Sequence, residues 1–336
     1  LIVHVLSSVY GAAVTWRRRW YSRDPARVRR LARPVISVGN VRVGGSGKTP
    51  VVAHLARLLI DRGERPSILT RGYARTRPQT GITLVSDGTR VLEDVGAAGD
   101  EPLMLARSLP GVPVLVGPDR FAAGLLAERE HGVSVHLLDD GFQHLRLARN
   151  VDLLLVDEDD LSDRVLPAGR LREPLANAAA ADAALVTTGS RTQASAVART
   201  LRINTAFSVH RHMLAPRMWS GDPFPEGQPR RALAFAGIAR PERFFTALPS
   251  CGWDIAATYA FQDHHPYTSA DLERLAAQAR AADVSWLVTT EKDAVRLAER
   301  DVSAVSQRGV NIAIVPLSIV IEPAGEFIAW LLERIR

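Results

Sequence analysis

The run Gly44-Gly45-Ser46-Gly47-Lys48-Thr49 follows an apolar segment and precedes a stretch with helical spacing. Glycines there let several backbone N–H groups point into one concavity, a lysine reaches terminal phosphates, and a threonine hydroxyl suits Mg²⁺. The strict phosphate-loop pattern has glycine where Arg42 stands, so this is a variant of it. The competing reading, a glycine-rich turn that holds nothing, leaves the lysine unexplained. Only two of the 42 basic residues are lysines, Lys48 and Lys292. A compact ammonium and a planar guanidinium are not interchangeable, so a chain that otherwise uses arginine marks both positions. Lys292 lies in Thr289-Thr290-Glu291-Lys292-Asp293, where a place near the nucleotide competes with that of a surface lysine.

Carboxylates end two further segments. Asp139 and Asp140 close an apolar run and lead into Gly141-Phe142-Gln143-His144, the placement by which phosphate-loop enzymes hold Mg²⁺ through an acid at a strand end. Asp100 and Glu101 sit beside a turn, where helix capping is the competing role. Mg²⁺ needs one or two such groups, which leaves one free to act as a base. Asp263-His264-His265 places an imidazole beside a carboxylate, a pairing that can take or relay a hydroxyl proton near neutral pH. Arg170 and Arg172 could neutralise a transferring phosphoryl group.

These groups need a scaffold. Short apolar runs at 34–39, 66–70, 113–117, 133–138, 151–157 and 183–188 read as buried strands, with helical stretches at 50–61 and 120–130. Strand and helix in alternation predict a doubly wound parallel α/β sheet of the P-loop NTPase kind, with ligands at the carboxyl ends of its strands. The Pro- and Gly-rich stretch 218–230 reads as a linker to a smaller α/β domain at 231–336. Strands are expected there at 232–236, 254–261, 286–290 and 310–315, with helices at 241–248, 269–282 and 323–335. The expected division is thus 1–33, 34–217, 218–230 and 231–336, the last closing over a cleft.

Length and composition agree. The 336 residues, 46% hydrophobic and 23% charged, make a globular chain of about two domains and exclude a disordered one. A single cysteine, Cys251, excludes an internal disulfide and a cysteine-rich zinc site. The net charge is +6, but eight arginines between Arg17 and Arg33 face the lone acid Asp24, and without that stripe the balance is −1. A nucleic-acid surface would spread its charge over a domain face. Residues 1–16 are mostly apolar yet shorter than the roughly 20 residues that span a bilayer. The combination predicts a helix lying in a membrane interface with arginines on anionic headgroups. The competing reading packs this helix on the core with a solvated basic end. The chain opens on Leu1 rather than Met, which leaves the full length of the apolar run open.

The ordered set GNVRVGGSGKTP, TRGYAR, GDEP, GPDR, DDGFQH, LPAGRLREP, FAGIARPERFF, DHHPYT and TTEKDAVRL, from about Pro34 to Phe327, resembles the tetraacyldisaccharide 4'-kinase family. The resemblance implies transfer of the ATP γ-phosphate to the 4'-hydroxyl of a tetraacyldisaccharide 1-phosphate held in the cytoplasmic face of a bacterial inner membrane. ATP and Mg²⁺ are then the cofactors. The anionic membrane surface and the lipid are the partners, with neither nucleic acid nor an obligate protein partner. Gly44, Gly45, Ser46, Gly47, Lys48 and Thr49 would hold phosphates, and Thr49, Glu101, Asp139 and Asp140 the metal. Asp100 coupled to His264 would be the base, with Lys48, Arg172 and Asp139 completing the catalytic set. Arg71, Arg120, Gln143 and His144 would meet the lipid head, and Glu291 and Lys292 the nucleotide side. A membrane-docked switch ATPase is the alternative from another class; it accounts for the phosphate loop and the N-terminus but not for Asp263-His264.

Overall fold

The structure, a computed structural model, describes every residue except Leu1, Ser46, Ala74 and Pro78. Ser46, expected in the phosphate cradle, therefore lies outside the described residues. Runs of branched aliphatics become fourteen strands among the described residues. They are β1 (Val35–Gly39), β2 (Pro66–Thr70), β3 (Thr83–Asp87), β4 (Pro113–Val116), β5 (Val135–Asp139), β6 (Val151–Val156), β7 (Ala183–Thr187), β8 (Ala206–Met213), β9 (Arg217–Met218), β10 (Arg231–Ala236), β11 (Asp254–Ala260), β12 (Trp286–Thr290), β13 (Asn311–Val315) and β14 (Leu317–Glu322). Two units contain them: Leu1–Ala98, Leu105–His210 and Ile319–Arg336 make the first, and Gly99–Met104 and Arg211–Ser318 the second.

In the first unit the sheet runs β14-β8-β7-β6-β1-β5-β2-β4-β3. From β8 to β4 the pairing is parallel, and β3 joins antiparallel to β4. Strands buried on both faces need no polar alternation, which is why these segments are nearly continuous in Val, Leu and Ile. Leu69, Leu115 and Leu138 pack with Ala123 and Ala127 of the helix Arg120–His131. Leu154, Val156 and Val186 pack with Ala194 and Val197 of the helix Arg191–Thr200. Each such fully buried aliphatic contributes about 1.5–3 kcal/mol. Val38 pairs with Asp139 in register, so the turn after β1 and the acid ending β5 emerge side by side at the carboxyl ends of two adjacent parallel strands. Gly39 permits this: a Cβ there would stand 2.4 Å from the Phe142 Cβ and 2.6 Å from its backbone nitrogen.

The helix Ile2–Ser22 lies in the first unit and has two unlike sides. Its inner side meets the 163–177 segment, where a Cβ on Gly11 would come 3.2 Å from Pro174 Cγ and the Ser7 hydroxyl accepts from the Ala168 amide at 3.0 Å. Ile2, Val5, Leu6, Val9 and Trp16 on other positions are exposed. A groove of about 980 Å³, lined by residues from His4 to Arg27 and from Asp163 to Leu175, follows the helix. The segment packs against the first unit and still leaves these apolar side chains exposed. Among the described residues, no helix is long and apolar enough to cross a membrane.

The second unit has the sheet β11-β10-β12-β13-β9. It is parallel except for β9, which runs antiparallel to β13 with Met218 opposite Ala313. The helix Ser269–Ala281 starts at a capping box in which Thr268 and Asp271 each satisfy the other's backbone N–H.

Three expected boundaries shift. The helix Ala324–Ile335, assigned by sequence to the small domain, belongs to the first unit, because Phe327 is buried there with its ring 5.0 Å from that of Phe207. Residues 218–230 are not a free linker: the Trp219 amide donates to the Ile312 carbonyl at 3.0 Å and Phe224 packs between Trp253 and Trp286. Gly99–Met104, expected with the large domain, belongs to the second unit.

Candidate active site

The phosphate loop bridges β1 and the helix Lys48–Ile60. Gly47 caps that helix in the left-handed region, at φ 86°, and contributes no side-chain cap, so the N–H groups of the first turn stay available to an anion. A Cβ on Gly44, at φ 95°, would meet nothing within 4 Å, which leaves the loop open on that side. The Lys48 ammonium donates to Asn40 Oδ1 at 3.0 Å and pairs with Asp140 at 3.2 Å. Thr49 is buried at the same turn, and Asp139 is buried at the end of β5, where Thr70 Oγ1 donates to it at 3.4 Å.

Asp140 follows Asp139 in the left-handed region, φ 54°, a conformation that turns its carboxylate away from the strand direction. Burial pushes its carboxyl up, but Lys48 and Arg172 outweigh that and hold it at about 2. Arg172 donates to Asp140 at 2.8 Å, to Gln143 Oε1 at 3.2 Å, to Asn40 Oδ1 at 3.1 Å and to the Arg42 carbonyl at 2.9 Å. Gln143 Nε2 in turn donates to Glu173 at 2.7 Å and to the Asn40 carbonyl at 2.9 Å. Oxygen donors of this type, Thr49, Asp139 and Asp140, match what Mg²⁺ prefers. Among the described residues, no group of three or more His, Cys, Asp or Glu is placed to hold a metal by itself.

Arg120 is buried, and burial, then the charge of Arg71, pulls its guanidinium down to about 10 against Asp140, Asp139 and Asp119. His144 is held down to about 4 by burial, then by Arg120 and Arg149. Arg71 is exposed. Of the four residues expected at the lipid head, these three share one electrostatic neighbourhood, while both ends of the Gln143 amide are committed to neighbouring side chains.

A second cluster lies within the second unit. Asp100 starts the helix Asp100–Ser108 and is 4% exposed. His264 Nδ1 donates to Asp100 Oδ2 at 2.7 Å from a residue at φ 61°. Lys292 Nζ lies 3.1 Å from Glu101, 3.4 Å from Asp263, 3.5 Å from His264 Nε2 and 3.9 Å from Asp100. Burial pushes the Asp100 carboxyl up, yet the His264 hydrogen bond and the charges of Lys292, His264 and Arg296 leave it below the usual range. Lys292 shows the converse: burial lowers its pKa, and Glu101, Asp100 and Asp263 raise it further than that. An ionised carboxylate bonded to an imidazole can accept a proton from a hydroxyl.

The sequence assigned Lys292 to the nucleotide side and Asp100 with His264 to the acceptor side; the structure brings all three together. Glu101, expected at the metal, pairs with Lys292 here, and Glu291 pairs with Arg217 at 3.2 Å. Sequence reasoning missed the support beneath. Asp293 is fully buried and accepts from the Tyr267 hydroxyl, the Gly237 amide and Thr290 Oγ1, and it pairs with Arg296. It also passed over Asn40, whose only signal was its place just before the phosphate loop. A Ser67–His136–Glu128 series has hydrolase-like connectivity, at 2.8 and 3.2 Å, but Ser67 and His136 are sealed inside the sheet and reach no substrate.

A parallel sheet with a glycine-rich loop between its first strand and a helix, and acids at a neighbouring strand end, defines a P-loop NTPase-like α/β protein. The profile of the tetraacyldisaccharide-1-P 4'-kinase family matches residues 1–336, and the chain belongs to that family. It is 44% identical over 298 residues to the tetraacyldisaccharide 4'-kinase of Geobacter metallireducens, with 88% of each chain covered. To that of Halothermothrix orenii it is 32% identical over 339 residues, covering 95% of this chain and 88% of the relative. Among solved structures it is similar to LpxK from Aquifex aeolicus in complex with ATP, with a TM-score of 0.80 and 29% identity over 99% of this chain and 98% of that one.

Proposed function

We propose that the protein transfers the γ-phosphate of ATP to the 4'-hydroxyl of a tetraacyldisaccharide 1-phosphate, at the cytoplasmic face of a bacterial inner membrane. The observation that carries the acceptor half of this reading is the 2.7 Å bond between His264 and the buried Asp100, a pair that a switch ATPase has no use for. Family membership over residues 1–336 supports the substrate class. Lys48, the backbone of the glycine loop and Arg172 bind and screen the phosphates, and Thr49 with Asp139 and Asp140 would hold Mg²⁺. When bound, that ion neutralises phosphate charge and orients the triphosphate.

Asp100 accepts the hydroxyl proton and His264 holds it in place or relays that proton. The sugar oxygen forms a bond to the γ-phosphorus as the bond to the bridging oxygen breaks, and ADP leaves. A sugar hydroxyl is a weak nucleophile, so positioning and charge screening supply most of the rate. Lys292 keeps Asp100 ionised and holds Glu101 and Asp263 alongside. Arg71, Arg120 and His144 are assigned to the polar head of the lipid. The exposed Ile2, Val5, Leu6, Val9 and Trp16, followed by the arginine stripe, suit an anionic bilayer surface, where the acyl chains keep the substrate.

The test is phosphate transfer from γ-labelled ATP with Mg²⁺ to tetraacyldisaccharide 1-phosphate in detergent micelles, with Lys48→Ala as control. Labelled lipid from the wild type and none from the variant is the expected result. ATP turnover without labelled lipid would move the assignment to a switch ATPase. Flotation with vesicles containing anionic lipid tests the membrane assignment, and equal flotation of a Val5→Asp/Val9→Asp variant would remove it.

A further inference from the structure

Arg18 belongs to the basic stripe by sequence but not by environment. Its guanidinium forks onto Glu173, with Nε donating to Oε2 at 3.1 Å and Nη2 to Oε1 at 3.2 Å, and Nη2 also donates to the Phe142 carbonyl at 3.1 Å. It stacks over the Phe142 ring at 4.2 Å. Glu173 is 1% exposed, so its charge needs a fixed counter-ion, and a bidentate guanidinium supplies charge and direction together. With Nε and Nη2 engaged by these acceptors and its side chain only 13% exposed, Arg18 faces the protein rather than a headgroup.

Glu173 passes this constraint on. It accepts from Gln143 Nε2, which also donates to the Asn40 carbonyl, so the amide oxygen of Gln143 must face Arg172. Arg172 donates to Asp140 and to Asn40 Oδ1, and both of those also hold the Lys48 ammonium. Every step from the N-terminal helix to the phosphate-loop lysine is thus a hydrogen bond or ion pair within the first unit. Thr15 Oγ1, one turn before Arg18, exchanges a weak bond with Asn177 at 3.3–3.4 Å, and Gly11 sits tight against Pro174, so the helix is seated where Arg18 requires it.

We propose that Arg18 is a positioning residue for phosphoryl transfer, holding Glu173 so that Gln143, Arg172 and Asp140 are set around Lys48. The N-terminal helix then does more than dock: its seating sets the geometry of the phosphate site. The proposal rests on the kinase reading above and adds to it a residue that acts through its contacts with Glu173 and Phe142.

The experiment measures kcat and both KM values for Arg18→Ala, Arg18→Lys, Glu173→Gln and the Arg18→Ala/Glu173→Gln pair in the micelle assay, with vesicle flotation alongside. Arg18→Ala is expected to lower kcat by about 10–100-fold, with lipid KM and flotation within about twofold of wild type. Arg18→Lys, which keeps the charge and loses the fork, should lie between. The double variant should be no slower than the slower single one, because the two residues act through one contact. An unchanged kcat, a rise confined to lipid KM, lost flotation with kcat kept, or additive losses in the pair would each overturn the proposal. Should Arg18→Ala not fold, Arg18→Lys carries the same comparison. If the wild type makes ADP but no labelled lipid, the kinase reading fails and the same rates are compared on ADP release.

Discussion

Arg42 stands where the strict phosphate-loop pattern has glycine, and replacing it by that glycine is a sharp test of what the position does. Its guanidinium pairs with Asp160 at 2.8 Å, with side chains 3% and 1% exposed. Asp160 also accepts from the Asp157 amide at 2.9 Å, and the backbone at Arg42 bridges to Leu171 and takes the Arg172 side chain. Arg42→Gly would leave the Asp160 carboxylate buried without its cation. Breaking a buried pair from one side costs about 3–5 kcal/mol. At about 2–4 °C per kcal/mol for a domain of this size, the melting temperature should fall by about 6–20 °C. The neutral pair Arg42→Met/Asp160→Asn should recover most of that loss, because no charge is then buried, Asn can still accept from the Asp157 amide, and Arg42 Nε has no acceptor to lose among the described residues. Thermal melting followed by circular dichroism decides it. A melting point for Arg42→Gly within about 2 °C of wild type, or a neutral pair no more stable than Arg42→Gly, would refute the reasoning.

The remaining predictions concern the two clusters and their protons. Asp100→Asn and His264→Ala should each lower kcat by about 10²–10⁴-fold while leaving ATP affinity within about twofold, read by steady-state kinetics and nucleotide titration; a matching loss of ATP affinity would move the pair to the nucleotide. Lys292→Arg should fail to restore the activity lost in Lys292→Ala, because a planar guanidinium cannot occupy the place of an ammonium 3.1 Å from Glu101 and 3.4 Å from Asp263. His144 is held at about 4 in the folded protein, below its unfolded value of about 6.5, so the unfolded chain binds more protons between those values. Stability should therefore fall as pH drops from about 6.5 to about 4, and His144→Asn should flatten that slope in urea titrations at several pH values. An unchanged slope would show that this imidazole takes up its proton as readily in the folded state.

Much of this protein was legible in its sequence, for a physical reason. Buried parallel strands are continuous apolar runs, so β2 and β12 fall where the pattern puts them to the residue, and the glycine loop declares itself because phosphate binding needs bare backbone. Strand β3 at one sheet edge, the partly exposed β8, short β9 and the C-terminal β14 escaped notice, since edge and partly exposed strands carry mixed patterns. Local pattern also could not tell which of many arginines turn inward. Arg18 has nothing in its neighbours along the chain to set it apart, and Arg42 only its departure from the phosphate-loop pattern; Glu173 and Asp160, brought close from 155 and 118 residues away, make them buried ion pairs. The same holds for Lys292, whose rarity the sequence exposed but whose partners Asp100, Glu101 and Asp263 come from distant segments. Residue type and local periodicity therefore determined which chemistry this chain carries. Long-range packing, which alone decides what a charged side chain faces once water is excluded, determined which of these residues come together and which neighbours hold them in place.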